Sequence, residues 1–222
     1  MAVQLPVRGT RVGGVTVGPG EARAVSIQLA THRRADGVAI ARSIPAWVVV
    51  GTRPGPRVSV VAGVRGVESA AARAAMELGA ALDPAALHGS VVVVPVLRPG
   101  ARLLPGGAGV PWRFPGDAGG RRSARDAFVV FSEVAVGSQA VLVLGGPRRR
   151  RRGALVARAR IDDARVKRLA SASGALAILP PGEVEGGLLD AAAAAGIPAL
   201  ELSAEGGPEA VAVLLGAARA VL

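Results

Sequence analysis

Few residues in this 222-residue chain can do chemistry, and their types narrow what that chemistry is. There is no cysteine, which excludes thiolate metal sites and thiol nucleophiles, and the two histidines are His32 and His88. Neither has a second histidine at a metal-binding spacing. His32 falls in the polar segment Thr31-His32-Arg33-Arg34-Ala35-Asp36, read as a surface loop between strands, and His88 at the turn before an apolar run. Both are read as ordinary exposed side chains. Carboxylates at Glu68 and Glu205 could share general acid and base work, but hydrolysing an unactivated amide with neither metal nor nucleophile is demanding. Arginine is plentiful, and a guanidinium binds a carboxylate bidentately. Such side chains suit a small carboxylate ligand. Arg148 to Arg152, bracketed by Pro147 and Gly153, could hold phosphates with salt-sensitive affinity, but the bracketing reads first as a solvated loop.

These residues need a scaffold, and the apolar pattern supplies one. Residues 10 to 50 read as short strands with Gly-rich turns: Gly13 to Val17, Val25 to Ala30 and Trp47 to Val50. A Pro-Gly-Pro turn at 54–56 then opens an alternation of strands and helices. Strands are predicted at Val58–Ala62, Val91–Val96, Ala140–Leu144, Ala154–Ala157, Leu176–Leu179 and Ala199–Leu202. Helices are predicted at Glu68–Leu82, Arg122–Val134, Asp163–Ala172 and Leu188–Ala195, with a last one from Pro208 striped by Val211, Leu214, Leu215, Ala218 and Leu222. Apolar strands alternating with amphipathic helices predict an α/β fold with a mixed, mostly parallel sheet covered on both faces. The Gly-, Pro- and Arg-rich segment 98–120 is long for a structureless connection, and loops at strand ends are where such sheets place their sites.

Several of these segments together carry a resemblance. Residues 54–68, PGPRVSVVAGVRGVE, resemble the first zinc-binding motif of the succinylglutamate desuccinylase/aspartoacylase family, relatives of the zinc carboxypeptidases. Upstream, Ile44-Pro45 and the run Trp47 to Gly51 resemble the strand before that motif. Downstream, Leu87-His88-Gly89-Ser90 and Val91 to Pro95 resemble the next strand, with Arg98-Pro99 in an Asn-Pro place. Pro-Trp-Arg-Phe-Pro-Gly at 111–116 resembles the substrate loop Asn-Arg-x-Phe-Pro-Gly. Gln139 to Gly146 stands where the second zinc-binding His belongs, and Gly196-Ile197-Pro198-Ala199-Leu200 approaches the catalytic Glu. The resemblance implies a three-layer α/β/α sandwich of the zinc-carboxypeptidase type. It implies one domain over 1–222, with N-terminal strands over 1–50 and the α/β core over 51–222. The C-terminal β domain that many members carry has no counterpart before Leu222.

For chemistry, the resemblance implies losses. The family motif His-Gly-x-Glu reads Arg65-Gly66-Val67-Glu68 here, so Glu68 is the one metal ligand retained. The second His position holds Gly145. Arg98, Trp112 and Arg113 fall at the substrate loop, with Trp112 in place of the binding Arg. The catalytic position is Ser203 by ungapped counting and Glu205 by alignment on the following glycines. A catalytic zinc needs three donor side chains and an open position for water, and a guanidinium has no lone pair to give. Arg65 either replaces the metal in a cluster with Glu68 and Glu205 or points to solvent, with Glu68 favouring its helix N-terminus. The implied function is a catalytically degenerate member, a binding or regulatory module for a small carboxylate or amide ligand or for an intact paralogue, with homo-oligomers an option. No cofactor is then expected. The alternative is an active zinc-dependent amide hydrolase on N-acyl amino acids or peptide-like amides.

Composition bounds the rest. Half of the residues are hydrophobic, which excludes intrinsic disorder and allows a proper core. The net charge of +11 raises nucleic acid as a partner. Aromatic residues at 2% and the absence of Tyr leave little for base stacking, so specific nucleic-acid binding is disfavoured. No apolar run approaches the roughly twenty residues that span a bilayer, and Met1 to Gly9 lacks a signal-peptide layout. The expected location is the cytoplasm, away from membranes.

Overall fold

The computed structural model describes residues 8–29, 31–33, 36–37, 39–63, 70–97, 112–145, 154–180, 186–204 and 208–222. Its strands are β1 (Thr10–Val12), β2 (Val15–Val17), β3 (Ala22–Gln28), β4 (His32–Arg33), β5 (Ala39–Ile40), β6 (Ser43–Val50), β7 (Arg53–Val61), β8 (His88–Val94), β9 (Ala140–Gly145), β10 (Val156–Ala159), β11 (Ala177–Leu179) and β12 (Ala199–Ser203). The helices are α1 (Ala70–Ala81), α2 (Arg122–Val130), α3 (Ala164–Ala172), α4 (Leu188–Ala194) and α5 (Pro208–Val221).

Strand β9 and the second half of β8 read as unbroken apolar runs because both of their faces are covered, while β12 alternates apolar and polar residues and is buried throughout. They belong to an eight-stranded sheet in the order β11-β10-β12-β9-β7-β8-β6-β3. Strands β12, β9, β7 and β8 run parallel to one another at its centre. Strand β10 is parallel to β11 and antiparallel to β12, while β6 and β3 extend the other side antiparallel. The sheet is thus mixed and mostly parallel. Helices α1, α3 and α5 cover one face around Val60, Leu78, Leu142, Leu200 and Leu214. The other face packs α2, α4 and the β1–β2 hairpin around Val17, Val48, Val134, Val141 and Ala192. This is the expected α/β/α sandwich. No helix among the described residues is long and apolar enough to cross a membrane.

The structure departs from the sequence reading in three places. The Pro-Gly-Pro stretch lies within β7, which starts at Arg53 and changes register against β8 between Arg53 and Arg57. Glycine makes this close approach possible, since a Cβ on Gly55 would lie 2.5 Å from the His88 carbonyl carbon. His32 sits in a short hairpin ladder, β4 with β5, instead of a plain loop. The predicted helix 122–134 is α2 followed by a π-helical turn, Phe131–Ala135. There the Val134 carbonyl accepts from the buried Ser59 Oγ at 2.6 Å, which satisfies the one hydroxyl in the middle of β7.

Helix α3 starts on an acidic cap. Asp163 accepts from the Arg165 backbone N–H at 2.8 Å and from its Nη2 at 2.7 Å. These bonds, the guanidinium's first, hold the Asp163 carboxyl below its usual range. A depressed carboxylate stabilises the fold above its unfolded pKa, and that contribution is lost as pH falls through the folded value. An NMR titration should place the Asp163 midpoint below the ordinary aspartate value and return it towards that value in Arg165→Ala.

Candidate functional site

In a parallel sheet the carboxyl ends of the strands form the natural cleft. Here those ends are Ala62-Gly63 after β7, Pro95 to Leu97 after β8, Gly145 on β9 and Ser203-Ala204 on β12. The Leu97 N–H donates to the Ala62 carbonyl at 3.0 Å, so the chain leaving β8 folds across the end of β7. Gly63 makes that crossing possible. Its φ is +66°, and a Cβ there would stand 2.7 Å from Val96 Cα.

The next feature is a carboxylate. In β12 the apolar Leu200 and Leu202 face the core beneath α1, α3 and α5, so strand alternation turns Glu201 and Ser203 to the opposite face. Gly145 pairs with Ser203 in register, and its open Cα lies under the Glu201 side chain. A Cβ built on Gly145 would overlap Glu201 Oε1 and stand 3.2 Å from its carboxyl carbon. The place from which β9 would project a side chain into the cleft is therefore held by a carboxylate from the neighbouring strand. Glu201 is 9% exposed, and its carboxylate makes no hydrogen bond or ion pair with the described residues. Arg158 on β10 stands directly opposite it in register. The Arg158 guanidinium instead reaches Ser203 Oγ, with Nη1 at 3.5 Å, and Ser203 Oγ donates to the Val156 carbonyl at 3.4 Å.

The loop that begins at Trp112 is well anchored. Phe114 N–H donates to the Gly186 carbonyl at 2.9 Å, and Trp112 and Phe114 meet edge to face with centroids 6.2 Å apart. Both rings pack on the cluster that contains Leu97, Val143 and Leu188, on the Glu201 face of the sheet. The Phe114–Pro115 peptide is cis. Gly116 (φ +86°) abuts the backbone of α2, where a Cβ would stand 2.8 Å from Phe128 Cα. Phe114 and Gly116 of the Phe-Pro-Gly signature thus each have a structural task. Arg113 is exposed on this loop, with its stem beside Gly186.

The structure brings together Gly145 and Ser203, and on the same face it adds Glu201 and Arg158, which the sequence reading passed over. The strand period was the available signal, because it separates Glu201 and Ser203 from Leu200 and Leu202. Trp112 is half-buried in the loop packing. Arg65, Glu68, Arg98, Glu205 and the run Arg148 to Arg152 lie outside the described residues. His88 is exposed at the start of β8.

The zinc implied by the resemblance needs three donor side chains. The described part of the cleft does not fit one. Glycine stands at 145, a guanidinium lies next to the lone carboxylate, and no group of three His, Asp or Glu side chains converges among the described residues.

This architecture is the fold of the succinylglutamate desuccinylase/aspartoacylase proteins. A succinylglutamate desuccinylase/aspartoacylase from Rhodobacter sphaeroides superposes with TM-score 0.72 at 20% identity, covering 90% of this chain and 64% of that one. The product-bound ectoine utilization protein EutE (DoeB) from Ruegeria pomeroyi superposes with TM-score 0.74 at 18% identity, covering 97% of this chain and 69% of that one. A candidate metallopeptidase from Shewanella denitrificans OS217 shares the fold at TM-score 0.60 and 11% identity, covering 87% of this chain and 82% of that one. The chain thus spans about two thirds of the length of the first two proteins. No protein-family model matches the sequence, and no curated protein sequence does.

Proposed function

We propose that this chain is a divergent, catalytically degenerate member of the succinylglutamate desuccinylase/aspartoacylase family, and that it works as a binding or regulatory module for a small carboxylate ligand or for an intact relative. The observation that carries this reading is the exchange at β9. Where the resemblance requires a metal-binding histidine, Gly145 offers no side chain, and Glu201 holds the space above it. A metal hydrolase needs its ion to make hydroxide near neutral pH and to polarise the scissile carbonyl. Without that ion the described part of the cleft still presents the Arg158 guanidinium, which supports binding over cleavage. The active zinc hydrolase remains the competing reading, favoured by the shared fold and opposed by residue 145.

The test is zinc content of the purified, untagged protein after dialysis with and without added zinc, followed by thermal unfolding with succinate or glutarate. The expected result is zinc far below one per chain, unchanged by a chelator, and a rise in Tm with dicarboxylate. Mass action puts the stabilisation at about 2.7 kcal/mol when the ligand stands at a hundred times its Kd. Near-stoichiometric zinc that a chelator removes, together with hydrolysis of an N-acyl amino acid, overturns the proposal.

A further inference from the structure

We propose that β11 is the docking edge for a second copy of this chain. The two β11 strands pair antiparallel about a two-fold axis and join two sheets into one. The inference is independent of the ligand reading above.

The two edges of the sheet are built differently. Its outermost strands are β3 and β11. The exposed positions of β3 include Arg23, Ser26 and Gln28, and Arg23 Nε lies 3.5 Å from Glu21 Oε2. The β1–β2 turn also lies against β3, where a Cβ on Gly13 would overlap the Ser26 carbonyl oxygen. Charged side chains and covering elements keep a sheet edge from pairing with other chains. Strand β11 has neither device. It bonds β10 along one side, and its other row of N–H and C=O groups has no strand beside it among the described residues. Every residue from Leu176 to Pro180 is exposed, with Leu176 at 80%, Ile178 at 37% and Leu179 at 40%. Ile161, just past the end of β10, is 56% exposed. Half of the exposed large apolar side chains among the described residues thus gather at this edge.

Charge selects the occupant. A chain of net charge +11 repels its own copy over most approaches. From Leu169 to Gly182 there is no charged residue, so two copies can meet here without setting like charges face to face. An acidic partner gains nothing from an uncharged strand, whereas a second copy brings the identical apolar edge. Pairing about a two-fold axis uses that edge in both copies and closes. The guarded β3 strands are then left outermost. Three-residue strands make a short contact, and a tight complex takes roughly 1,200–2,000 Å². The dimer is therefore a reversible one.

Sedimentation velocity of the full chain across the micromolar range should show a monomer–dimer equilibrium. Added salt should tighten it, because salt screens the net repulsion between copies. Leu176→Lys with Leu179→Lys should weaken association about tenfold or more, since like charges then oppose each other across the axis. Both side chains are exposed, so circular dichroism and Tm should stay as in the wild type. A second reading uses the absence of cysteine. Ile178→Cys places a single thiol in the middle of β11. Opposed residues of an antiparallel pair have Cα atoms about 4.5–5.5 Å apart, within disulfide reach. Mild oxidation should give a covalent dimer that reductant reverses, while Met76→Cys, exposed on α1, should stay monomeric on the same gel. A wild type that is monomeric at every concentration and salt overturns the inference, as does a dimer that survives the lysine pair. Equal cross-linking at 76 and 178 overturns it too. So do assemblies that grow beyond dimers, because open chains need two different edges.

Discussion

Replacing Arg42 with alanine should remove about 3–5 kcal/mol of unfolding free energy, the usual consequence of leaving a buried charge alone. Arg42 lies just ahead of β6, and its Nη2 bonds Asp126 Oδ2 on α2. Asp126 is 2% exposed and, among the described residues, its carboxylate bonds Arg42 alone. Its other oxygen, Oδ1, is buried without a partner, so the guanidinium is the main compensation for that charge. Removing the arginine leaves the carboxylate beneath α2 with nothing in exchange for water. Urea unfolding followed by circular dichroism should show the midpoint falling with little change in slope. Exchanging both partners for apolar residues, Arg42→Met with Asp126→Leu, should recover most of the loss, because the desolvation cost then disappears with the charges. A loss below about 1 kcal/mol in the single variant would mean that water already reaches the pair.

Gly63→Ala should cost about 2–5 kcal/mol. The left-handed backbone accounts for about 1–2 kcal/mol in any residue with a Cβ. Crowding against a fixed neighbour adds about 1–3 kcal/mol. That neighbour is backbone, with Val96 Cα at 2.7 Å and the Pro95 carbonyl oxygen at 2.8 Å from the added carbon, so no rotamer change relieves it. Gly14→Ala is the control. Its φ is +80°, but a Cβ there meets nothing within 4 Å, so it should show the backbone cost alone. Equal losses at the two positions would mean that the crossing over β7 gives way at little cost. Because that crossing borders the cleft, ligand affinity in Gly63→Ala should fall alongside stability.

Much of the sheet was legible from periodicity. The apolar runs at 91–94 and 140–144 belong to strands buried on both faces, where composition and structure coincide. The stripe Val211, Leu214 and Ala218 marks the buried side of α5 for the same reason. What stayed hidden depends on tertiary contacts. Nothing local announces that the helix beginning at Arg122 widens at Phe131. The widened turn is matched to Ser59, some seventy residues away, whose hydroxyl takes the Val134 carbonyl. Strand β7 begins earlier than its apolar residues because Gly55 lets it lie against His88 and Gly89. At the site, the resemblance drew attention to Ser203 and Glu205 by motif position. The strand period sets Glu201, two residues before Ser203, on the same face, but its place over Gly145 follows only from the strand order. Single-sequence reading sees motif slots well and the space between adjacent strands poorly.

The order in which the sheet can be completed follows from the position of β12. It lies between β9 and β10, yet it arrives at residues 199–203, some forty residues after β10 has been made. Were the strands paired in the order of synthesis, β9 beside β7 would keep one side open, and β10 would have only β11 as a partner, until residue 199 is made. An open, apolar strand edge is a template for other chains, and late long-range pairing prolongs that interval. Strand β12 is thus the piece on which closure of the molecule depends, and it is also the strand that delivers Glu201. In this chain the carboxylate and the last sheet pairing reach the cleft together.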